Sequence, residues 1–293
     1  MDTILVTGVN GQVGHELIKT LAPLGKLIAL TREDLDLTQP IQIQAVLEQY
    51  QPTIIVNPAA YTAVDKAESD SETAYQVNQY APHIMAQWAA THDALLIHYS
   101  TDYVFDGTKE SAYLEDDATN PQSVYGHSKY LGEEVIRQTH AKHFILRTSW
   151  VFGVHGNNFI KTILRLAKER SALNIVADQH GAPTSAHLIA KVTAQLIQSY
   201  RQYSVACGTY HLCAAGRTTW YEYAHFIVQT ALEQGMTLTL NQLESISTSE
   251  YLTPAIRPKN SRLNCDKLST ALSLELPYWQ DDVKEVIAKI AKY

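Results

Sequence analysis

The chain has 293 residues, 45% hydrophobic and 18% charged, the composition of a soluble globular protein with room for one large or two modest domains. A formal charge of −7 without a basic cluster argues against a nucleic-acid surface, and three cysteines without a C-x2-C pair suggest neither a disulfide framework nor a zinc site. With no basic leader and no long apolar run, neither a signal peptide nor a membrane span is expected, and a reducing cytoplasm is the expected setting.

Residues 3–7 read as a short buried strand, followed by Gly8-Val9-Asn10-Gly11-Gln12-Val13-Gly14 and the helical pattern Leu17, Ile18, Leu21. Strand, glycine turn and helix in that order suit a dinucleotide. Gly8, Gly11 and Gly14 allow a tight turn, bring backbone amides to a pyrophosphate at the helix N-terminus and let helix and sheet pack closely. The spacing is G-x2-G-x2-G, not the ordinary G-x-G-x2-G. A second apolar run, 26–30, leads into Thr31-Arg32-Glu33-Asp34, where a dinucleotide fold meets the adenosine ribose. Arg32 could pair with a 2′-phosphate and Glu33 or Asp34 could accept from a free 2′-hydroxyl, so NADPH is slightly favoured and NADH stays open. Thr38 and Pro40 read as the start of the next helix.

Residues 53–57 form a third expected strand, and Pro58-Ala59-Ala60-Tyr61-Thr62 follows at its C-terminal end, where open parallel sheets bind ligands. A long helix is expected over about 71–92, then a fourth strand over 95–99. Ser100-Thr101-Asp102 closes that strand, either as chemistry on the ligand edge or as an ordinary turn. Beyond an acidic loop, Tyr125-Gly126-His127-Ser128-Lys129 places a tyrosine and a lysine on one helix face. A nearby ammonium lowers a phenol from its usual pKa of about 10 and fits it for acid–base work. Of seventeen tyrosines, Tyr125 alone has lysine four residues on. A fifth strand over 144–147 ends in Thr148-Ser149-Trp150, where Trp150 offers a flat apolar face to a sugar or serves as a core tryptophan. Alternating strands and helices predict an α/β protein with a Rossmann-like, doubly wound parallel sheet. The expected division is a nucleotide-binding domain over 1–148, with returning segments near Ile175 and Tyr210, and a smaller C-terminal substrate-binding lobe over 149–293.

Several of these motifs, with Arg147-Thr148-Ser149-Trp150-Val151-Phe152, Asp178-Gln179-His180-Gly181-Ala182-Pro183-Thr184 and Arg257-Pro258-Lys259-Asn260-Ser261, together resemble the dTDP-4-dehydrorhamnose reductases, extended members of the short-chain dehydrogenase/reductase superfamily. The resemblance covers almost the whole chain. It implies reduction of the 4-keto group of dTDP-4-dehydro-β-L-rhamnose to dTDP-L-rhamnose for cell-surface polysaccharide, with Tyr125 as proton donor, Thr101 bonded to the same oxygen, and Lys129 lowering the tyrosine pKa and holding the nicotinamide ribose. Gly11, Gln12 and Val13 carry over as pyrophosphate contacts, Asp36 and Leu37 as adenine contacts, and Ala60, Tyr61, Thr62 and Tyr99 as further cofactor contacts. Thr101, Asp102 and Trp150 carry over to the sugar nucleotide, and Arg257 faces either the diphosphate or a structural ion pair. No metal is assigned a catalytic role, and a homodimer is compatible with the resemblance. The alternatives are a reductase or epimerase of a related 4-keto-6-deoxysugar nucleotide, or a non-catalytic regulatory subunit on the same fold.

Overall fold

Apolar residues in the early strands point alternately to two faces, and both faces are covered by helices. In chain order these elements are β1 (Thr3–Val6), α1 (Gln12–Leu21), β2 (Lys26–Ala29), α2 (Pro40–Tyr50), β3 (Ile54–Asn57), α3 (Val64–Ala67), α4 (Ser71–Tyr75), α5 (Ala81–Thr91), β4 (Leu95–Thr101), α6 (Val124–Thr139) and β5 (His143–Thr148). The computed structural model describes residues 2–292. Further along come β6 (Val151–Phe152), α7 (Phe159–Glu169), β7 (Ala172–Val176), β8 (His180–Gly181), β9 (Thr184–Ser185), α8 (Ala186–Arg201), β10 (Gly208–His211), β11 (Thr218–Thr219), α9 (Trp220–Glu233), β12 (Gln242–Ile246), α10 (Asp266–Leu272) and α11 (Trp279–Ile290).

The central sheet runs β2-β1-β3-β4-β5-β10, and all of its pairs are parallel. Ile4, Val6, Ile54, Val56, Leu95, Ile97, Phe144 and Leu146 join the core with α1 and α8, whereas Leu5, Ile55, Leu96 and Ile145 join Ile43, Leu47, Met85 and Ile136 on the opposite face. Strand order reverses between β1 and β3, which makes their C-terminal ends the expected ligand crevice. The segment near Tyr210 lies in this sheet, beside β5. The segment near Ile175 does not. Strand β7 instead pairs with β12 in a separate two-stranded sheet, because its pattern of exposed Ala172 and Asn174 around buried Leu173 suits a half-covered sheet and not one buried on both faces.

A second departure is the helix expected over 71–92, which is interrupted by a π-turn at Gln76–Tyr80 between α4 and α5. Pro82 explains it. Proline has no N–H for the carbonyl of Asn78 four residues earlier and its ring would clash with that carbonyl, so the chain widens there. The widened turn faces α6, where a Cβ on Gly132 would lie 2.1 Å from the Asn78 carbonyl oxygen. At the start of the same helix, Ser123 caps the Gly126 N–H at 3.1 Å, and a Cβ on Gly126 would lie 2.2 Å from the Tyr103 carbonyl oxygen. Two glycines thus seat α6 directly on backbone.

Farther along α6, Glu133 is fully buried and receives Arg147 of β5 through Nε at 2.9 Å and Nη2 at 2.6 Å, with Arg137 at 3.0 Å on the same carboxylate. Burial opposes the ionised carboxyl, but the two guanidiniums hold its pKa below the ordinary glutamate value. Its folded-state value is depressed, so the stabilisation is complete above the unfolded glutamate pKa of about 4.3 and is lost as pH falls through the folded value. Glu133→Gln, which leaves Arg147 buried without its counter-charge, is expected to cost about 3–5 kcal/mol by urea unfolding near neutral pH and to flatten the acid decline of stability. An unchanged unfolding midpoint would contradict this account.

Candidate active site

The glycine turn lies at the switch point. Gly8 has φ +56°, a backbone that favours glycine, and a Cβ there would lie 2.8 Å from Cβ of Ala59, the second residue after β3. A Cβ on Gly14 would lie 2.3 Å from the Gly8 carbonyl oxygen, so the helix can approach the turn only at glycine. Gly11 is the N-cap of α1 and no side chain caps that helix, which leaves its first amides, at Gln12, Val13 and Gly14, directed at any anion in the crevice. A backbone cradle that a Cβ would fill, at an uncapped helix N-terminus, fits a dinucleotide pyrophosphate. The Gln12 side chain itself spans to the second half of the chain, bonding the Val151 carbonyl at 3.4 Å and Asn158 at 3.0 Å.

Along the same edge, Arg32 is exposed and enters no salt bridge among the described residues, while Asp34 is committed to the Thr31 amide and hydroxyl at 2.9 and 2.7 Å. Asp36 likewise accepts from the Thr38 amide and hydroxyl at 3.0 and 2.9 Å, just ahead of the Pro40 start of α2, and Leu37 is buried. Ala60, Tyr61 and Thr62 form the loop after β3. Asn78, presented by the π-turn, fixes this loop by accepting the Tyr61 N–H at 2.9 Å and donating to the Tyr61 carbonyl at 3.1 Å, and it also donates to Ser128 of α6 at 3.0 Å. Asn78 therefore ties the loop to the helix that bears Tyr125. Its sequence surroundings, Gln76-Val77-Asn78-Gln79, carry no signal that singles it out.

Thr101 ends β4, Asp102 opens the turn that follows, and both are almost fully buried. The Thr101 hydroxyl donates to Asp102 Oδ1 at 3.1 Å, and burial pushes the Asp102 carboxyl up to about 6 against the opposing bonds from Ser261 and Thr101. Tyr125 stands half-buried with its ring edge-on to Tyr103, centroids 5.6 Å apart. Burial is the largest influence on its phenol and raises its pKa, the Thr101 hydroxyl opposes that, and Asp102 and Tyr103 reinforce it. The expected lowering by Lys129 is therefore corrected. The lysine, buried and lowered to about 7 by desolvation, directs Nζ to the Tyr99 carbonyl at 2.6 Å and to His98 Nε2 at 3.0 Å.

Tyr99 contributes that carbonyl, but its side chain is turned away. It shares strand parity with Leu95 and Ile97, so the phenol enters the opposite core and meets Thr193 of α8 at 2.7 Å. Counting parity along β4 would have identified His98, on the α6 side, as the residue facing the lysine. Trp150 adopts φ +49°, strained for a bulky residue, and its indole stacks on Trp220 at 3.6 Å while Gly181 leaves no room for a Cβ against its edge. It is half-buried and packed on one face, two residues beyond the end of β5. Arg257 pairs with Asp65 at 2.7 Å and reaches the Tyr103 hydroxyl at 3.3 Å, the structural alternative for that residue.

A parallel sheet whose switch point opens beside a tyrosine–lysine helix places the protein in the extended short-chain dehydrogenase/reductase class. The family described as RmlD substrate binding domain matches residues 1–292. A dTDP-4-dehydrorhamnose reductase from Escherichia coli K12 is 46% identical over 291 residues, covering 98% of this chain and 97% of its own. Among solved structures, a dTDP-4-dehydrorhamnose reductase from Clostridium acetobutylicum has a TM-score of 0.91 at 34% identity, covering 98% of this chain and 99% of its own. Another from Bacillus anthracis, in complex with NADP, has a TM-score of 0.90 at 35% identity and the same coverage. The chain belongs to the dTDP-4-dehydrorhamnose reductase family.

Gly14→Ala tests the close approach of α1 to the turn. A clash with backbone typically costs about 1–3 kcal/mol, so a lower melting temperature and NADPH binding weaker by about tenfold or more are expected. Wild-type affinity in a fluorescence titration would show that the cradle is not the binding element.

Proposed function

We propose that this protein reduces the 4-keto group of dTDP-4-dehydro-β-L-rhamnose, giving dTDP-L-rhamnose for cell-surface polysaccharide, with NADPH as reductant. The observation that carries this reading is the contact of Thr101, at the end of β4, with Tyr125 of α6, on the same C-terminal edge of the parallel sheet as the glycine turn after β1, in a chain of this family. NADPH, when bound, supplies the hydride. Gly8, Gly11, Gln12, Val13 and Gly14 hold its pyrophosphate, Arg32 its 2′-phosphate, Asp36 and Leu37 its adenine, and Ala60, Tyr61 and Thr62 line its path. The amine of Lys129 holds the nicotinamide ribose. Of Tyr99, only the backbone carbonyl takes part, through Lys129.

Reduction of a ketone needs a proton on the developing alkoxide. Tyr125 provides it, and a raised phenol pKa keeps that proton in place throughout the neutral range. Thr101 exchanges its present acceptor, Asp102 Oδ1, for the same oxygen and stabilises the charge as it forms. Asp102 and Trp150 orient the sugar nucleotide, the indole covering the apolar face of the deoxysugar. Cytoplasmic placement is supported by Cys213 and Cys265, free thiols in contact, with the Cys213 N–H 3.2 Å from Cys265 Sγ. The assembly we propose is a homodimer, with a surface supplied by the groove of Tyr75, Tyr80, His127 and Leu131 along α4 and α6. Sedimentation of the purified protein as a monomer would contradict it.

Tyr125→Phe keeps the ring and removes the proton. Turnover of the keto-sugar nucleotide is expected to fall by about 10²–10⁴, with dissociation constants for NADPH and the sugar nucleotide little changed. Near-normal turnover would remove Tyr125 from the acid role. For the cofactor, Arg32→Ala is expected to weaken NADPH by about tenfold, about 1.4 kcal/mol, while leaving NADH within twofold or so. Equal losses for the two cofactors would dissociate Arg32 from the 2′-phosphate.

A further inference from the structure

Behind the lysine lies a row of polar side chains that the reaction as described does not use. Thr7 follows β1, Asn57 ends β3 and His98 lies in β4, three adjacent strands, and all three side chains share the α6 face with Leu5, Ile55 and Leu96. They are as buried as the core, with exposures of 1%, 0% and 1% against 2% for Lys129. The bonds run Thr7 Oγ1 to Asn57 Oδ1 at 2.6 Å, Asn57 Nδ2 to His98 Nδ1 at 3.2 Å, His98 Nε2 to Lys129 Nζ at 3.0 Å, and Lys129 Nζ to the Tyr99 carbonyl at 2.6 Å.

Donor accounting gives the row a direction. The Thr7 hydroxyl receives the Ala59 N–H at 3.4 Å, and its own proton finds Asn57 Oδ1 at 2.6 Å as its acceptor among the described residues. The Asn57 amide is then oriented with Nδ2 toward His98, and His98 Nδ1 must accept. A neutral imidazole accepting at Nδ1 carries its proton on Nε2, where it meets the lysine nitrogen. That nitrogen must offer a lone pair. If the amide turned over, His98 would carry its proton on Nδ1, and Nε2 would instead accept from an ammonium.

We propose that Thr7, Asn57 and His98 form a tautomer-locking relay, in which His98 is the positioning residue that fixes both the orientation and the protonation of Lys129. The proposal rests on the reading of Lys129 given above. The burial that lowers His98 well below its ordinary range, aided by Lys129, agrees with an imidazole held neutral. The other groups facing the lysine are few. On its own helix these are Glu133 one turn on, which raises the lysine pKa but is itself paired with Arg147 and Arg137, and Tyr125 one turn back; β4 adds the Tyr99 carbonyl, and the nearby Asn57 and Asn78, bonded to His98 and Ser128, are uncharged. The turn after β4 presents Asp102 and Tyr103, which act on Tyr125.

The test is nuclear magnetic resonance on the cofactor-free full chain, with ¹⁵N-labelled histidine and ¹³C-labelled lysine, the His98 signal being identified by its loss in His98→Gln. Above the Lys129 midpoint, where the amine is uncharged, His98 is expected to be neutral in the Nε2–H form, and Lys129 is expected to titrate far below ordinary lysines. Thr7→Val removes only the hydroxyl that orients Asn57, at the far end of the row and without any change of charge. It is expected to raise the Lys129 midpoint by about one pH unit, the equivalent of one lost hydrogen bond, and to bring in the Nδ1–H form of His98. An Nδ1–H tautomer in the wild type while Lys129 is uncharged, an ordinary titration of His98 near pH 6.5, or an unmoved Lys129 midpoint in folded Thr7→Val would each overturn the relay. If Thr7→Val does not fold, the wild-type tautomer decides. These readings need no turnover, so their failure leaves the reductase assignment standing, and a failure of Tyr125→Phe leaves the relay standing.

Discussion

Helix α6 lies nearer to its neighbours than side chains would allow, and the site depends on that proximity. Gly126 rests on the Tyr103 carbonyl and Gly132 on the Asn78 carbonyl, at approaches where an added Cβ would fall 2.2 and 2.1 Å from oxygen. Only because the helix is seated this deeply can a lysine with 2% exposure reach the Tyr99 carbonyl across the sheet face. The same seating buries Glu133 against Arg147, so the helix that carries Tyr125 is anchored by a charge pair one turn beyond its lysine. Rigidity and reactivity have a common origin here. Burial that keeps the phenol protonated also makes the helix costly to displace.

Much of the architecture was legible because its signals are local. A short strand with three consecutive apolar residues, a glycine turn and an amphipathic helix are written within the first twenty-one positions, and strands β2 to β5 each contain a short apolar run. The pairing of β7 with β12 was not legible, since it joins segments about seventy residues apart whose periodicities say only that each is half-covered. The π-turn could have been read from Pro82, whose missing N–H has one consequence wherever it falls inside a helix.

The candidate site divides in the same way. Tyr125 and Lys129 are visible as an i, i+4 pair, but spacing gives only a shared helix face and not the direction in which a flexible lysine points. That direction is decided by His98 and by the Tyr99 carbonyl, elements of a strand some thirty residues earlier in the chain. Trp150 shows the complementary limit. Its place after β5 is readable, yet its left-handed backbone and its stacking on Trp220 arise from a lobe that closes over it much later in the sequence.

Strand β10 has a bearing on how such proteins can be divided and recombined. It lies some sixty residues beyond β5 yet forms the outer strand beside it, through Gly208–Phe144 to His211–Arg147. A fragment cut after β5 would present a bare, apolar strand edge, a template for intermolecular sheet growth. Interchange of C-terminal segments between relatives is therefore poorly served by a single crossover at that point. A graft that respects the sheet must carry α8 and β10 with strands β1 to β5, and so requires two junctions in place of one.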